Sequence, residues 1–164
     1  MKSITSIFLI ITSLFLTAAS PKPAKYIVDE YQVFINKHKV SDNLTIIIKS
    51  NSIMLPAADI FDVYRFKVKK QKDKTTILTD GYKTIEYTIG SKTALVKGMN
   101  QYTKKNYGDK GLTIKLPVAP IEVDENVSLP LSLFSKSLAW DYTVNKSEKI
   151  IKFIQQSAKK TDEE

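Results

Sequence analysis

Asp59 and Asp62 lie three residues apart in LPAADIFDVY, so a helix there would place both carboxylates on one surface. Such a pair can do general acid and base work when a dry environment raises the pKa of one member. Here both flank an apolar stripe on its wet side, which favours a solvated helix start. Asp124, Glu125 and Asn126 make an acidic turn of oxygen donors, the ligand type of calcium, yet their spacing completes no ligand loop. His38 is the single histidine, set between Lys37 and Lys39, and a copper centre needs several converging imidazoles. The reading is of an exposed, free ring. With no cysteine, thiol catalysis and cysteine metal sites drop out, and five glycines form no phosphate loop. No serine, histidine and acid set can be assembled around His38. The sequence therefore assigns no catalytic residue, no metal ligand and no cofactor.

Binding chemistry is better represented. The stretch MNQYTKKNYGDKGLTIK, Met99 to Lys115, interleaves Lys104, Lys105 and Lys110 with Tyr102 and Tyr107. Amines beside flat rings can grip an anionic or sugar polymer by charge and stacking. A second lysine run, KVKKQKDK from Lys67 to Lys74, reads instead as protection of a strand edge against pairing. Trp140 could offer a carbohydrate platform, but it opens a strand directly after a helix and reads as core. The formal charge of +8 is carried almost wholly by lysine, because Arg65 is the single arginine. Lysine sets up a diffuse field rather than bidentate phosphate forks, which suits envelope polymers at least as well as nucleic acid. No nucleic-acid partner is expected.

The elements that must position these residues follow from the hydropathy pattern. Residues 1–19 of the 164 read as a secretory signal peptide: Lys2, an apolar run from Ile7 to Leu16, then small residues up to a cleavage after Ala19. That run is too short for a comfortable membrane span, so no stable span is expected after cleavage. Residues 20–25, SPKPAK, read as a linker, residues 26–154 as one folded domain, and residues 155–164, QQSAKKTDEE, as a flexible tail. YQVFINKHKV reads as a hairpin turning at Asn36 to Lys39, and LTIIIK as a buried strand.

Within the domain, LPAADIFDVYRFKVKK from Leu55 is answered by LPLSLFSKSLAWDYTV from Leu129, an offset of 74 residues that does not slip. Each proline suits the first turn of a helix, where its missing N–H costs nothing. Ala57, Ile60 and Tyr64 make the apolar stripe of the first helix, and Leu131, Phe134 and Leu138 that of the second. Each helix is followed by a strand, with Phe66 and Val68 facing inward in the first copy and Trp140 and Tyr142 in the second. A turn and a further strand complete units of about 55–79 and 129–153. Between them Thr84 to Ile89 and Thr93 to Lys97 read as two more strands. The expected fold is α+β, an antiparallel sheet packed around two short helices, with internal duplication of a helix–strand–turn–strand unit.

Read in order, VFINKHKV, IMLPAADIFDVYRFKVKKQKDKTTIL, TIEYTIGSKTALVKG and VSLPLSLFSKSLAWDYTVNKSEKIIKF resemble the copper amine oxidase N-terminal-like domain, over roughly Tyr31 to Ile154. The resemblance implies a non-catalytic appendage of exported and surface proteins of Gram-positive bacteria, without copper or quinone chemistry. The chain departs from that family where an arginine commonly follows two residues after each proline, since Ala58 and Ser132 stand there. A glycine commonly follows each helix where this chain has Arg65 and Ala139, and Met99 to Lys115 is longer than usual. The functional expectation is an exported, non-enzymatic binding or interaction module at the bacterial cell envelope, secreted or surface-associated, whose partner is an anionic wall polymer or a surface protein. A small secreted hydrolase, a hydrolase inhibitor or a structural tether are the alternatives.

Overall fold

The computed structural model describes residues 26–100 and 105–156. The expected signal peptide, linker, tail beyond Gln156, and the candidates Tyr102 and Lys104 lie outside the described residues. The chain runs β1 (Ile27–Ile35), β2 (His38–Lys49), β3 (Ser52–Pro56), α1 (Ala57–Asp62), β4 (Lys67–Lys70), β5 (Thr75–Thr79), β6 (Lys83–Thr88) and β7 (Thr93–Gly98). It continues through β8 (Leu112–Lys115), β9 (Ile121–Val123), β10 (Asn126–Pro130), α2 (Leu131–Leu138), β11 (Trp140–Asn145) and β12 (Ile150–Gln155).

The α+β character holds, but the single antiparallel sheet does not. Seven strands pair in the order β11-β12-β1-β2-β3-β10-β9, and five in the order β4-β5-β6-β7-β8. In the larger sheet β1 and β12 run parallel. That register sets Val33 beside Ile151 and Ile35 beside Phe153, and all four side chains are buried. One continuous apolar core draws residues from both sheets and both helices. Gln155, expected to open the tail, instead closes β12, and the Gln156 amide donates to the Ala139 carbonyl at 3.1 Å.

Local signals account for most of the larger sheet. The expected hairpin and LTIIIK merge, since β2 continues unbroken from His38 to Lys49. Asn36 with Lys37, Ser50 with Asn51, and Asp124 with Glu125 each form a two-residue turn in which both residues have positive φ. This is the turn that matches the right-handed twist of a hairpin, and Asn and Asp tolerate it best after glycine. The acidic turn of Asp124 to Asn126 thus acts as a hairpin connection.

The proline-led helices bury one stripe each: Ala57, Ile60 and Phe61 in α1, and Leu131, Leu133, Phe134 and Leu138 in α2. Tyr64 lies beyond the end of α1 and packs its ring 4.7 Å from that of Trp140. Phe66 and Trp140 are both in the core, at 9% and 2% exposure. Val68 and Tyr142, expected to face inward, are instead 56% and 41% exposed. Both lie on outer strands of their sheets, where the core covers only part of a face: β4 is exposed throughout, and β11 keeps Trp140 buried and Val144 half-buried against the core while Tyr142 between them is left open. Every residue of β4 is exposed, which leaves Lys67, Lys69 and Lys70 guarding an open edge, as their spacing suggested.

Two details of the family pattern become physical here. Gly98 has φ +79, and a Cβ on it would collide with the Tyr82 carbonyl oxygen, so the last glycine of TIGSKTALVKG is required on both counts. Arg65 and Ala139, which stand where the family commonly has glycine, sit at φ 54 and φ 57. Ala139 is the left-handed cap of α2, its amide donating to the Ser135 carbonyl. A side chain in that conformation costs roughly 1–2 kcal/mol, partly offset by the greater freedom of glycine when unfolded. Ala139→Gly is therefore expected to raise stability by about 0.5–1 kcal/mol, read as a higher midpoint in urea at unchanged slope.

Candidate functional site

The stretch from Met99 to Lys115 begins at the base of β7 and ends as β8, which pairs antiparallel with it. Its two limbs are tied together: the Tyr107 amide donates to the Gly98 carbonyl at 2.8 Å and the Asn100 amide to the Lys105 carbonyl at 2.9 Å. Asn100 is wholly buried, and its side-chain amide donates to the Leu138 carbonyl at 3.1 Å, where α2 ends. A carbonyl in the last turn of a helix has no partner within the helix, and this contact satisfies it. The same hydrogen bond holds the stretch against α2. Nothing in the residue pattern signalled Asn100; only its neighbour across the fold identifies it.

Between these parts lies a hollow of about 440 Å³, within the range of ligand sites. Lys105, Lys115 and Lys136 line it together with Tyr107, and the backbone turn from Ala139 to Asp141 forms its far wall. The Lys136 ammonium donates to the Lys115 carbonyl at 3.4 Å, and the Lys105 ammonium stands 5.4 Å from the centre of the Tyr107 ring. Burial pushes the Tyr107 phenol up, so near neutral pH it keeps its proton and can donate a hydrogen bond. Asp141 is the one carboxylate of the lining, and its Oδ1 already accepts the Gln156 side-chain amide at 2.9 Å. The wall is firm: Ser135 Oγ donates to the Trp140 carbonyl at 2.7 Å.

Of the described residues expected from sequence, Lys105 and Tyr107 come together here. Lys110 does not line the hollow; it lies in the exposed turn before β8. Lys115 and Lys136 were missed as partners because they are brought together by packing, one on an edge strand and the other on a helix. His38 is exposed at the start of β2. Among the described residues no three His, Cys, Asp or Glu side chains gather to hold a metal ion, and no helix is long and apolar enough to cross a membrane.

A two-sheet α+β domain carrying a lysine-lined hollow on a rigid frame defines the class. Residues 34–153 match the copper amine oxidase N-terminal domain, and the chain belongs to that family. In the copper amine oxidases this domain is a non-catalytic appendage. No curated protein and no solved structure matches the chain.

A further charge sits inside the molecule. Lys83, at the start of β6, is 3% exposed, with its ammonium 5.9 Å from the centre of the Phe66 ring. Burial pulls its pKa down to about 8, against an opposing pull from nearby Asp80. Unfolding returns the amine to water, where it holds its proton up to about pH 10.5. The unfolded chain thus binds more protons between those two values, and stability should rise with pH across that window. Lys83→Met keeps the stem and removes the charge. It is expected to add about 1–3 kcal/mol at pH 7, an advantage that shrinks as pH climbs from 8 through 10.5, measured by paired urea titrations.

Proposed function

We propose that this protein is an exported, non-enzymatic binding module of the bacterial cell envelope, secreted or surface-associated, that holds an anionic wall polymer in the lysine-lined hollow. One observation carries the reading: Lys105, Lys115, Lys136 and Tyr107, from three separate elements, line a single cavity. Fixed amines around a ring-bearing wall recognise a repeating anion by summed contacts, each weak alone at about 0–1 kcal/mol and strong when repeated along a polymer. The apolar run of residues 1–19 supports export, and the family supports a non-catalytic role. A hydrolase reading is less favoured because Asp59, Asp62 and Glu125 are all exposed to solvent, without the enclosed setting in which a pair of carboxylates divides acid and base work.

We also read residues 55–79 and 129–153 as copies of one unit. The support is the constant 74-residue offset and the repeated order of strand, helix, strand, strand around Pro56 and Pro130. Aligning these segments in an experimental structure should bring Phe66 onto Trp140, and a divergent path after the helices would refute the duplication.

The binding reading is tested by co-sedimentation with isolated Gram-positive envelopes at low and high salt. Replacing Lys105, Lys115 and Lys136 with Ala should cut retention by about tenfold or more, whereas replacing Lys67, Lys69 and Lys72 should cut it about threefold at most, because diffuse surface charge is screened. Equal losses would reduce the effect to net charge. Retention that ignores salt would point to a surface protein held by apolar contact.

A further inference from the structure

The outward face of the seven-stranded sheet is covered at one end and open at the other. Ile47 and Met54, paired across β2 and β3, are buried with Val118 in a small cluster separate from the main core. At the far end β12 alternates: Ile151 and Phe153 turn into the core, while Ile150, Lys152 and Ile154 turn out. Register sets Phe34 of β1 beside Lys152, on the same outward side. Phe34 and Ile150 are half-buried, and Ile154 is 59% exposed. These three side chains line a cavity of about 650 Å³, larger than the basic hollow. Unlike a single exposed residue, a contiguous apolar strip marks a place of contact.

The strip carries charge of one sign. Lys37 and Lys152 line the cavity, and no Asp or Glu does among the described residues. Neither ammonium is held by an ion pair or hydrogen bond among those residues. Lys39 flanks Phe34 from β2, 6.0 Å from the ring centre, but is already engaged by Asp42. Asp141, opposite Ile154 in register, has its Oδ1 occupied by the Gln156 side-chain amide. The site is also built on a fixed frame. The Asn36 backbone amide donates to the Phe153 carbonyl at 3.0 Å, and the Asn36 side chain makes two hydrogen bonds with Gln155. The turn that carries Lys37 is thereby clasped to the end of β12.

We infer that this strip binds a free, single-chain amphiphilic anion, an alkyl carboxylate whose chain lies on Phe34, Ile150 and Ile154 while its head group meets Lys37 and Lys152. Ile150 and Ile154, four residues apart on a strand, give the chain a track of about 13 Å. Lys152 stands between them, where its stem adds apolar cover and its ammonium extends to the rim. The chain supplies most of the affinity through area removed from water, and the exposed amines select the head group modestly. This site is independent of the polymer-binding reading, since it shares no lining residue with the basic hollow.

The protein is titrated with octanoate, octanol and octylammonium, following backbone amide resonances by NMR. Octanoate should bind about 3- to 20-fold more tightly than octanol, moving amides of residues 34–37 and 150–154, with octylammonium weakest there. Each methylene from butanoate to octanoate should tighten binding about two- to fourfold. Lys37→Gln combined with Lys152→Gln should remove the preference for the carboxylate while octanol still binds, which also verifies that the strip is intact. Ile154→Ser, at an exposed position, should weaken octanoate and octanol alike. Replacing Lys105, Lys115 and Lys136 with Ala should leave octanoate binding as it was, whatever it does to envelope retention. Equal affinity for octanoate and octanol, a preference that survives the double substitution, affinity that ignores chain length, or shifts confined to other residues would each overturn the assignment. Binding to anionic lipid vesicles with none to free octanoate would overturn it as well.

Discussion

The structure depends on an unbroken chain of aromatic contacts at its centre. Phe66 meets Phe61 edge-on at 5.1 Å, and Phe61 lies 5.2 Å from Phe134. Phe134 and Trp140 both pack on Phe153, at 6.3 and 5.3 Å, and Trp140 returns to Tyr64 at 4.7 Å. Through these rings α1, α2, β11 and β12 hold one another, although two of the elements are helices too short to be stable alone. Large rings bury the most area per residue and add a directional preference in pairs. A chain without cysteine has no covalent substitute for this packing.

Once that centre is set, the surface consequences follow. A buried ring, Phe66 just before β4 and Trp140 at the head of β11, leads into a strand that runs along the edge of its sheet, where β4 is wholly exposed and β11 keeps only Val144 half-buried against the core. Each helix end is left beside an adjoining edge or turn, and a cavity forms at each place. The chemistry of the two differs because α1 carries Asp59 and Asp62 where α2 carries Leu133 and Lys136, 74 residues on. The basic hollow is further supplied by β8 and by Asn100, whose buried amide couples the Met99 to Lys115 stretch to the last turn of α2.

Much of this was legible from residue order. The proline-led helices, the strands of TIEYTIGSKTALVKG, the burial of Phe66 and Trp140, and the lysine guard on β4 all arise from local rules: a fixed φ, an alternating pleat, a ring after a helix, a charge on an edge. The family could be identified because those rules recur in a fixed order with fixed spacing. Glycine at the helix caps could be noticed as missing, yet its reason appeared only with φ 54 at Arg65 and φ 57 at Ala139.

What the sequence by itself determined is the two proline-led helices, the strands with clear alternation or β-branched runs, and most of the core, because those choices rest on neighbours within a few positions; the short strands β3, β9 and β10 carried no such local signal. Tertiary structure alone decided that the strands divide into two sheets, that β12 lies parallel to β1, and that Val68 and Tyr142 face water. It also decided which charges meet. Lys105 joins Lys115 and Lys136, Glu125 joins Asp59 and Asp62, and Lys83 is enclosed beside Phe66. Pairing partners and cavity walls come from residues far apart in the chain, and their meeting is set by the closing of the aromatic core, which no local pattern encodes.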